Sequence, residues 1–74
     1  MLVRINVGPI TDPKSELVED SITLADAIAQ YNLVGELTLN GSSLSSVDKR
    51  KTLKELGISQ DDYLCSARKN GGNN

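Results

Sequence analysis

The sequence predicts a single α+β domain in which a mixed sheet of four to five strands packs against one main helix. Apolar and polar residues alternate near the start of the chain and again in its second half, which is typical of half-buried strands. Between these segments lies one stretch with helical spacing and a capping signal. The 74 residues leave room for one modest core. We expect the domain to span residues 1–69 and a flexible tail to span residues 70–74.

The first two strands are predicted to form a hairpin. Residues 1–7 alternate, and the side expected to face the core carries Met1, Val3, Ile5 and Val7. Residues 8–15 are rich in Gly, Pro, Asp and Ser, which favour turns. The apolar pair Leu17 and Val18 follows and marks the returning strand.

The helix is predicted from Thr23 to Asn32. The Thr23 hydroxyl can cap free backbone amides, and Asp26 lies three residues later, as in a capping box. Leu24, Ile28 and Tyr31 are spaced four and three residues apart and form an apolar stripe. Asn32 is a plausible stop, because Asn tolerates the left-handed conformation common at helix ends.

The second half of the chain is predicted to contain three strands. Residues 36–41 alternate and end in Asn40-Gly41, a dipeptide favoured in tight hairpin turns, and Leu44 marks a short returning strand. Residues 45–56 are compatible with a helix capped by Ser46 or with an irregular turn, since their apolar stripe is sparse. Residues 62–68 form the last strand, and the pattern leaves open which of its faces is buried.

The composition argues against several functions. With a net charge of −2, the chain has no general attraction for nucleic acid. No stretch is apolar enough to predict a membrane span, and the start lacks the pattern of a signal peptide. The absence of His excludes a Ser-His nucleophile, and no spacing suggests a metal or cofactor site. A single Cys suits a reducing compartment. We expect a monomeric cytoplasmic protein without catalytic residues.

The order of these elements and several residues resemble the ubiquitin-like proteins of the β-grasp fold. The segment Leu37-Thr38-Leu39-Asn40-Gly41-Ser42-Ser43-Leu44 is similar to the family's strand that ends in a Gly turn and is followed by Leu. Thr52-Leu53, Leu56 and Gly57-Ile58 resemble the family's signature before the last strand. The resemblance extends to Gly71 and Gly72 and includes two types, the prokaryotic-type ubiquitin-like proteins and the small sulphur carriers of thiamine and molybdopterin synthesis. It implies a domain that binds or joins other proteins.

Two departures from the family limit this comparison. Thr38 and Ala67 stand where ubiquitin has larger aliphatic residues of its main binding patch, so the familiar partner surface is missing. Asn73 and Asn74 follow Gly71-Gly72, whereas activated family members end in Gly. Conjugation at Gly72 would therefore require a protease that removes these two residues and an activating enzyme.

The preferred hypothesis is a non-catalytic module that binds other proteins through the outer face of the sheet. The residues predicted to form this surface are Leu2, Arg4, Thr38 and Arg68. The alternative is a covalent modifier or sulphur carrier that uses Gly71 and Gly72. A subunit that pairs through its sheet edges is a third possibility.

Other candidate sites have simpler explanations. Cys65 is expected to be a packed, inert residue, because nothing nearby in sequence would activate its thiol. The basic run Lys49-Arg50-Lys51 with Lys54 could dock an acidic partner, but a solvated charged face is the simpler interpretation. Asp61-Asp62 indicates a turn.

Overall fold

The computed structural model describes residues 1–67, which form one α-helix, one 3-10 helix and five strands. The strands are β1 (Leu2–Pro9), β2 (Lys14–Glu19), β3 (Glu36–Leu39), β4 (Ser42–Ser43) and β5 (Tyr63–Ala67). The α-helix, α1, spans Leu24–Tyr31, and the 3-10 helix spans Ser46–Arg50.

The five strands of the described region form one mixed sheet in the order β2-β1-β5-β3-β4. The two central strands, β1 and β5, are parallel, and all other neighbours are antiparallel. Helix α1 covers one side of this sheet, where the core lies. The predicted fold class, a β-grasp domain with a mixed sheet on one helix, is therefore confirmed.

Strand β1 shows the predicted alternation. Val3, Ile5 and Val7 are buried in the core, and Val18 of β2 lies directly opposite Val3. Met1 departs from the prediction, because it precedes the strand and its side chain is exposed. The hairpin with β2 forms as expected.

Helix α1 begins and ends where the sequence predicts. The Thr23 hydroxyl accepts a hydrogen bond from the Asp26 amide at 3.1 Å, and the Asp26 carboxylate accepts one from the Thr23 amide at 3.2 Å. Asn32 adopts the left-handed conformation and ends the helix. Leu24 and Ala27 are fully buried, whereas Ile28 and Tyr31 of the predicted stripe pack on the edge of the core.

Residues 45–57 do not form a full helix. After the 3-10 helix, Thr52 forms an isolated bridge with Thr23, and a series of turns ends at Gly57 with a positive φ of 84°. The Leu53 amide donates to the Ile22 carbonyl at 2.9 Å, and the Leu53 side chain is 1% exposed. Tertiary contacts of Leu53 therefore override the weak helical pattern of this segment.

The core side of β5 is the side of Leu64. Leu64 is buried against the helix side of the sheet together with Leu37 of β3. Tyr63 and Cys65, which alternate with Leu64, point to the opposite side. Within residues 1–67, no helix is both long enough and apolar enough to cross a membrane.

Candidate functional site

The sheet face that α1 does not cover carries exposed side chains from several strands of the described region. We call it the open face and define it by Leu2, Arg4, Leu17, Thr38, Tyr63 and Cys65. These residues alternate along their strands with core residues such as Val3, Ile5 and Leu64. Leu2, Arg4 and Thr38, which the sequence predicts for a partner surface, lie on this face, and their role in binding stays a prediction.

The three predicted residues do not form one contiguous patch. Thr38 lies opposite Cys65, and Cys65 lies opposite Gly8, four residues beyond Arg4 on β1. At about 3.3 Å per residue and about 4.8 Å per strand, Thr38 is roughly 16 Å from Arg4. The open face therefore has two separate parts. Arg68, Gly71 and Gly72 lie outside the described residues.

The first part is a small apolar corner on β1 and β2. Leu2 is 58% exposed and Leu17 is 50% exposed, and they are diagonal neighbours because Leu17 lies opposite Arg4. Arg4 Nη1 donates a hydrogen bond to Ser15 Oγ at 3.2 Å, which places the guanidinium beside this pair. Neither Leu2 nor Leu17 lines the groove at the other end of the open face.

The second part is a groove of ≈ 410 Å³ at the other end of the open face. Its lining residues come from the loop after β1, from β3 with its turn, and from β5. They are Ile10, Pro13, Thr38, Asn40, Gly41, Tyr63 and Cys65. None of these side chains carries a charge at neutral pH, so the groove suits an apolar side chain with a few polar neighbours.

Gly8 allows the β1–β2 loop to form one wall of the groove. Gly8 has a φ of 141°, which L side chains rarely adopt, and a Cβ there would meet the Asp12 carbonyl oxygen at 3.4 Å. The Ile10 amide extends the β1–β5 ladder by donating to the Ser66 carbonyl at 2.8 Å. The loop therefore folds close over β1 and lies beside Cys65.

Asn40 holds the opposite wall in place. It adopts a left-handed conformation with φ of 52° in the turn between β3 and β4. Its amide donates to the Tyr63 carbonyl at 2.8 Å, and its Oδ1 accepts from the Tyr63 amide at 2.9 Å. These two bonds fix the start of β5, so the half-exposed Tyr63 side chain is presented at the edge of the groove.

Cys65 forms part of the groove floor. Its side chain is only 5% exposed, although it lies on the open face. Burial raises the pKa of the Cys65 thiol, so the thiol stays protonated at neutral pH and is a poor nucleophile. Cys65 thus contributes an apolar surface, as the sequence predicted for a packed cysteine.

The groove as a unit is not predicted by the sequence. The sequence places Tyr63 in the last strand without deciding its face, and places Ile10 and Pro13 in a turn-rich loop. The available signal was the position of Leu64: once Leu64 is placed in the core, Tyr63 and Cys65 must face the other way. Nothing in the local sequence indicates that the loop of Ile10 and Pro13 reaches Cys65.

The acidic and thiol side chains of the described region do not form a metal site. Within residues 1–67, no group of three or more Cys, Asp or Glu side chains could hold a metal ion. The Asp61-Asp62 pair belongs to a turn, in which the Asp62 carboxylate accepts from the Ser59 amide at 2.8 Å. The arrangement is suited to binding through shape and apolar contact.

Comparison with known proteins supports the fold assignment. No family model matches the chain, and no curated protein matches it. Among solved structures, the chain is similar to the ubiquitin-like domain of an Arabidopsis thaliana protein, determined in solution by NMR. The TM-score is 0.66 with 18% sequence identity, over 86% of this chain and 73% of the other. The chain therefore has a ubiquitin-like β-grasp fold.

Proposed function

We propose that this domain is a non-catalytic protein-interaction module, which binds a partner protein by taking one of its apolar side chains into the groove. The observation that carries this proposal is the groove itself. It joins the exposed Ile10 and Tyr63 to a buried floor at Cys65 and has no charged lining residue.

The composition of the groove favours a protein partner. Aromatic residues at the centre of an interface supply much of its binding energy, and Tyr63 offers both a ring and a hydroxyl at the edge. The Thr38 hydroxyl and the side-chain NH2 group of Asn40 provide polar groups that can meet a partner's backbone. Leu2 and Leu17 at the far corner would lie at the periphery of a larger interface.

The proposal is tested by filling the groove. Thr38→Arg places a long charged side chain in the lining, whereas Ser42→Arg makes a similar change on the neighbouring strand, outside the groove. Each variant is immobilised beside the wild type and incubated with an extract of the source cells, and captured proteins are quantified by mass spectrometry.

We expect at least one protein to be captured by the wild type and by Ser42→Arg and to be lost with Thr38→Arg. Circular dichroism must first show that both variants are folded. If Thr38→Arg retains every partner that the wild type captures, the groove is not the binding site.

A second candidate function rests on the sequence after β5. Gly71-Gly72 follows the last strand of a ubiquitin-like fold, which supports a covalent modifier or sulphur carrier activated at Gly72. This role requires an activating enzyme and a protease that removes Asn73 and Asn74. The intact mass of the protein from its source cells tests it, because a species ending at Gly72 or carrying a thiocarboxylate is required.

A further inference from the structure

The segment of residues 45–57 differs in charge from the rest of the domain. It contains four basic residues, Lys49, Arg50, Lys51 and Lys54, and two acidic residues, Asp48 and Glu55. The remaining described residues contain only Arg4 and Lys14 as basic residues and eight acidic ones. Within residues 1–67, basic residues are therefore concentrated in one short segment, and the other residues are acidic overall.

The two acidic side chains of this segment are turned toward the backbone. The Asp48 carboxylate accepts hydrogen bonds from the Ser45 amide at 2.9 Å and the Ser45 hydroxyl at 3.2 Å. The Glu55 carboxylate accepts one from the Thr52 amide at 2.8 Å. These bonds lower the pKa of both carboxyl groups. Both are therefore ionised at neutral pH and accept hydrogen bonds from the backbone amides three residues earlier.

The basic side chains are left facing solvent. Lys51 Nζ lies 3.3 Å from Asp48 Oδ1, but Lys49, Arg50 and Lys54 form no salt bridge with any residue in the range 1–67. All four basic residues are exposed. The Asp48 and Glu55 carboxylates are thus engaged by backbone amides of their own segment. Lys49, Arg50 and Lys54 have no ion-pair partner within residues 1–67.

A hollow with one apolar residue lies within this basic surface. Val47 is 68% exposed and lines a hollow of ≈ 300 Å³ together with the polar Ser46 and the charged Arg50. The segment packs beside the start of α1, where the Leu24 amide donates to the Lys51 carbonyl at 2.9 Å. It contributes no residue to the groove, so it is a second and separate surface.

We propose that residues 46–54 form a docking surface for an acidic peptide segment of a partner protein, with one aliphatic residue of that segment seated against Val47. Asp and Glu side chains of the peptide pair with Lys49, Arg50 and Lys54. The acidic remainder of the domain repels the same peptide, so the charge distribution directs it to this segment.

The chemistry favours a peptide over nucleic acid. Neither Tyr of the chain lies in this segment, so no ring is available there for base stacking. The acidic residues elsewhere would repel a phosphate backbone that extends beyond the segment. The exposed Val47 offers an apolar contact that an aliphatic side chain of a peptide can use and a phosphate backbone cannot.

The test measures the binding of a short fluorescein-labelled peptide of Asp and Glu with one central Leu, by fluorescence anisotropy. We expect Arg50→Glu to weaken binding about tenfold at low salt, because a favourable ion pair becomes a repulsive one. The matched control is Lys14→Glu, which makes the same charge change in the β1–β2 hairpin and should weaken binding less than about twofold. Lys54→Glu provides an independent variant if Arg50→Glu does not fold.

The apolar contact is tested separately with a second peptide that carries Ser in place of Leu. Val47→Ser should weaken binding of the Leu peptide and leave binding of the Ser peptide unchanged. Val34→Ser, at another exposed Val, should affect neither peptide.

Several results would overturn the proposal. One is a lack of saturable binding by the wild type, and another is equal weakening by Arg50→Glu and Lys14→Glu. Tighter binding of single-stranded DNA of the same charge, with the same sensitivity to Arg50→Glu, would indicate a nucleic-acid surface. Self-association in sedimentation experiments that Arg50→Glu abolishes would indicate that the occupant is a second copy of the chain.

Discussion

Replacing Asn40 separates the two physical roles of this residue at the groove. Asn40 occupies a left-handed turn conformation, and its Oδ1 accepts the Tyr63 amide at 2.9 Å. Asn40→Ala removes this hydrogen bond, worth about 0.5–1.5 kcal/mol, and places an L side chain with no local hydrogen bond in the left-handed region, at about 1–2 kcal/mol. We expect Asn40→Ala to lower the free energy of unfolding by about 2 kcal/mol in all.

Two further substitutions separate the cost of the lost hydrogen bond from the cost of the left-handed conformation. Asn40→Gly removes the hydrogen bond but tolerates the conformation, so we expect a loss of about 1 kcal/mol. Asn40→Asp keeps both an acceptor oxygen and tolerance of the conformation, so its stability should lie within about 0.5 kcal/mol of the wild type. The wild type and Asn40→Asp should therefore be the most stable, Asn40→Gly should be less stable, and Asn40→Ala should be the least stable.

Urea unfolding followed by far-UV circular dichroism measures these differences, since the chain has no Trp. For a domain this small, with a slope of about 1 kcal/mol per M urea, Asn40→Ala should lower the midpoint by roughly 2 M. Its melting temperature should fall by roughly 8–16 °C. If Asn40→Ala is as stable as the wild type, or if Asn40→Asp is as unstable as Asn40→Ala, the structural account of this turn is wrong.

Three other predictions address the remaining features. Leu53→Ala should cost about 2–5 kcal/mol, because Leu53 is fully buried and anchors residues 51–58, and a thermal melt that matches the wild type would contradict this. Glu55→Gln should lower the urea midpoint near neutral pH: the pKa of Glu55 is lowered in the folded state, so its charge stabilises the fold above the ordinary pKa of Glu and ceases to do so as the pH falls through the folded value. The difference between variant and wild type should shrink steadily as the pH falls below the ordinary pKa of Glu, and a difference that does not change with pH would refute the assignment to charge. Cys65 should react with a thiol reagent at least about tenfold more slowly in the folded protein than in urea, and equal rates would show that the thiol is accessible.

The elements that the sequence predicted correctly depend on neighbouring residues. The alternation of Val3, Ile5 and Val7 defines a strand without reference to the rest of the chain. The same is true of the capping pair Thr23 and Asp26, three residues apart, and of the turn at Asn40-Gly41. In each case a local steric or hydrogen-bonding preference agrees with the final fold.

The features that the sequence did not predict depend on distant contacts. Residues 45–57 take their path because Leu53 packs in the core and its amide donates a hydrogen bond to the carbonyl of Ile22, a residue distant in sequence. The buried side of β5 follows from its pairing with both β1 and β3, which the pattern around Leu64 does not specify.

The candidate site also combines features that neighbouring residues determine with features that depend on distant contacts. Single residues of the open face, such as Leu2 and Thr38, could be assigned from alternation once a sheet covered on one side was assumed. The groove combines a loop, a turn and two strands, so its existence depends on tertiary structure. The basic run at Lys49-Arg50-Lys51 is visible in the sequence. The capping roles of Asp48 and Glu55, and the pairing of Asp48 with Lys51 alone, depend on the folded geometry.

Photo-crosslinking from position 63 tests the central claim most directly. A benzoylphenylalanine residue in place of Tyr63 would put the reactive group at the edge of the groove, and the same residue in place of Val34 would serve as an exposed control away from it. After irradiation in an extract of the source cells, we predict a discrete adduct with another protein from position 63, which is lost when Thr38→Arg is also present. An absence of adducts from position 63, or the same adducts from both positions, would contradict the proposal that the groove binds a partner.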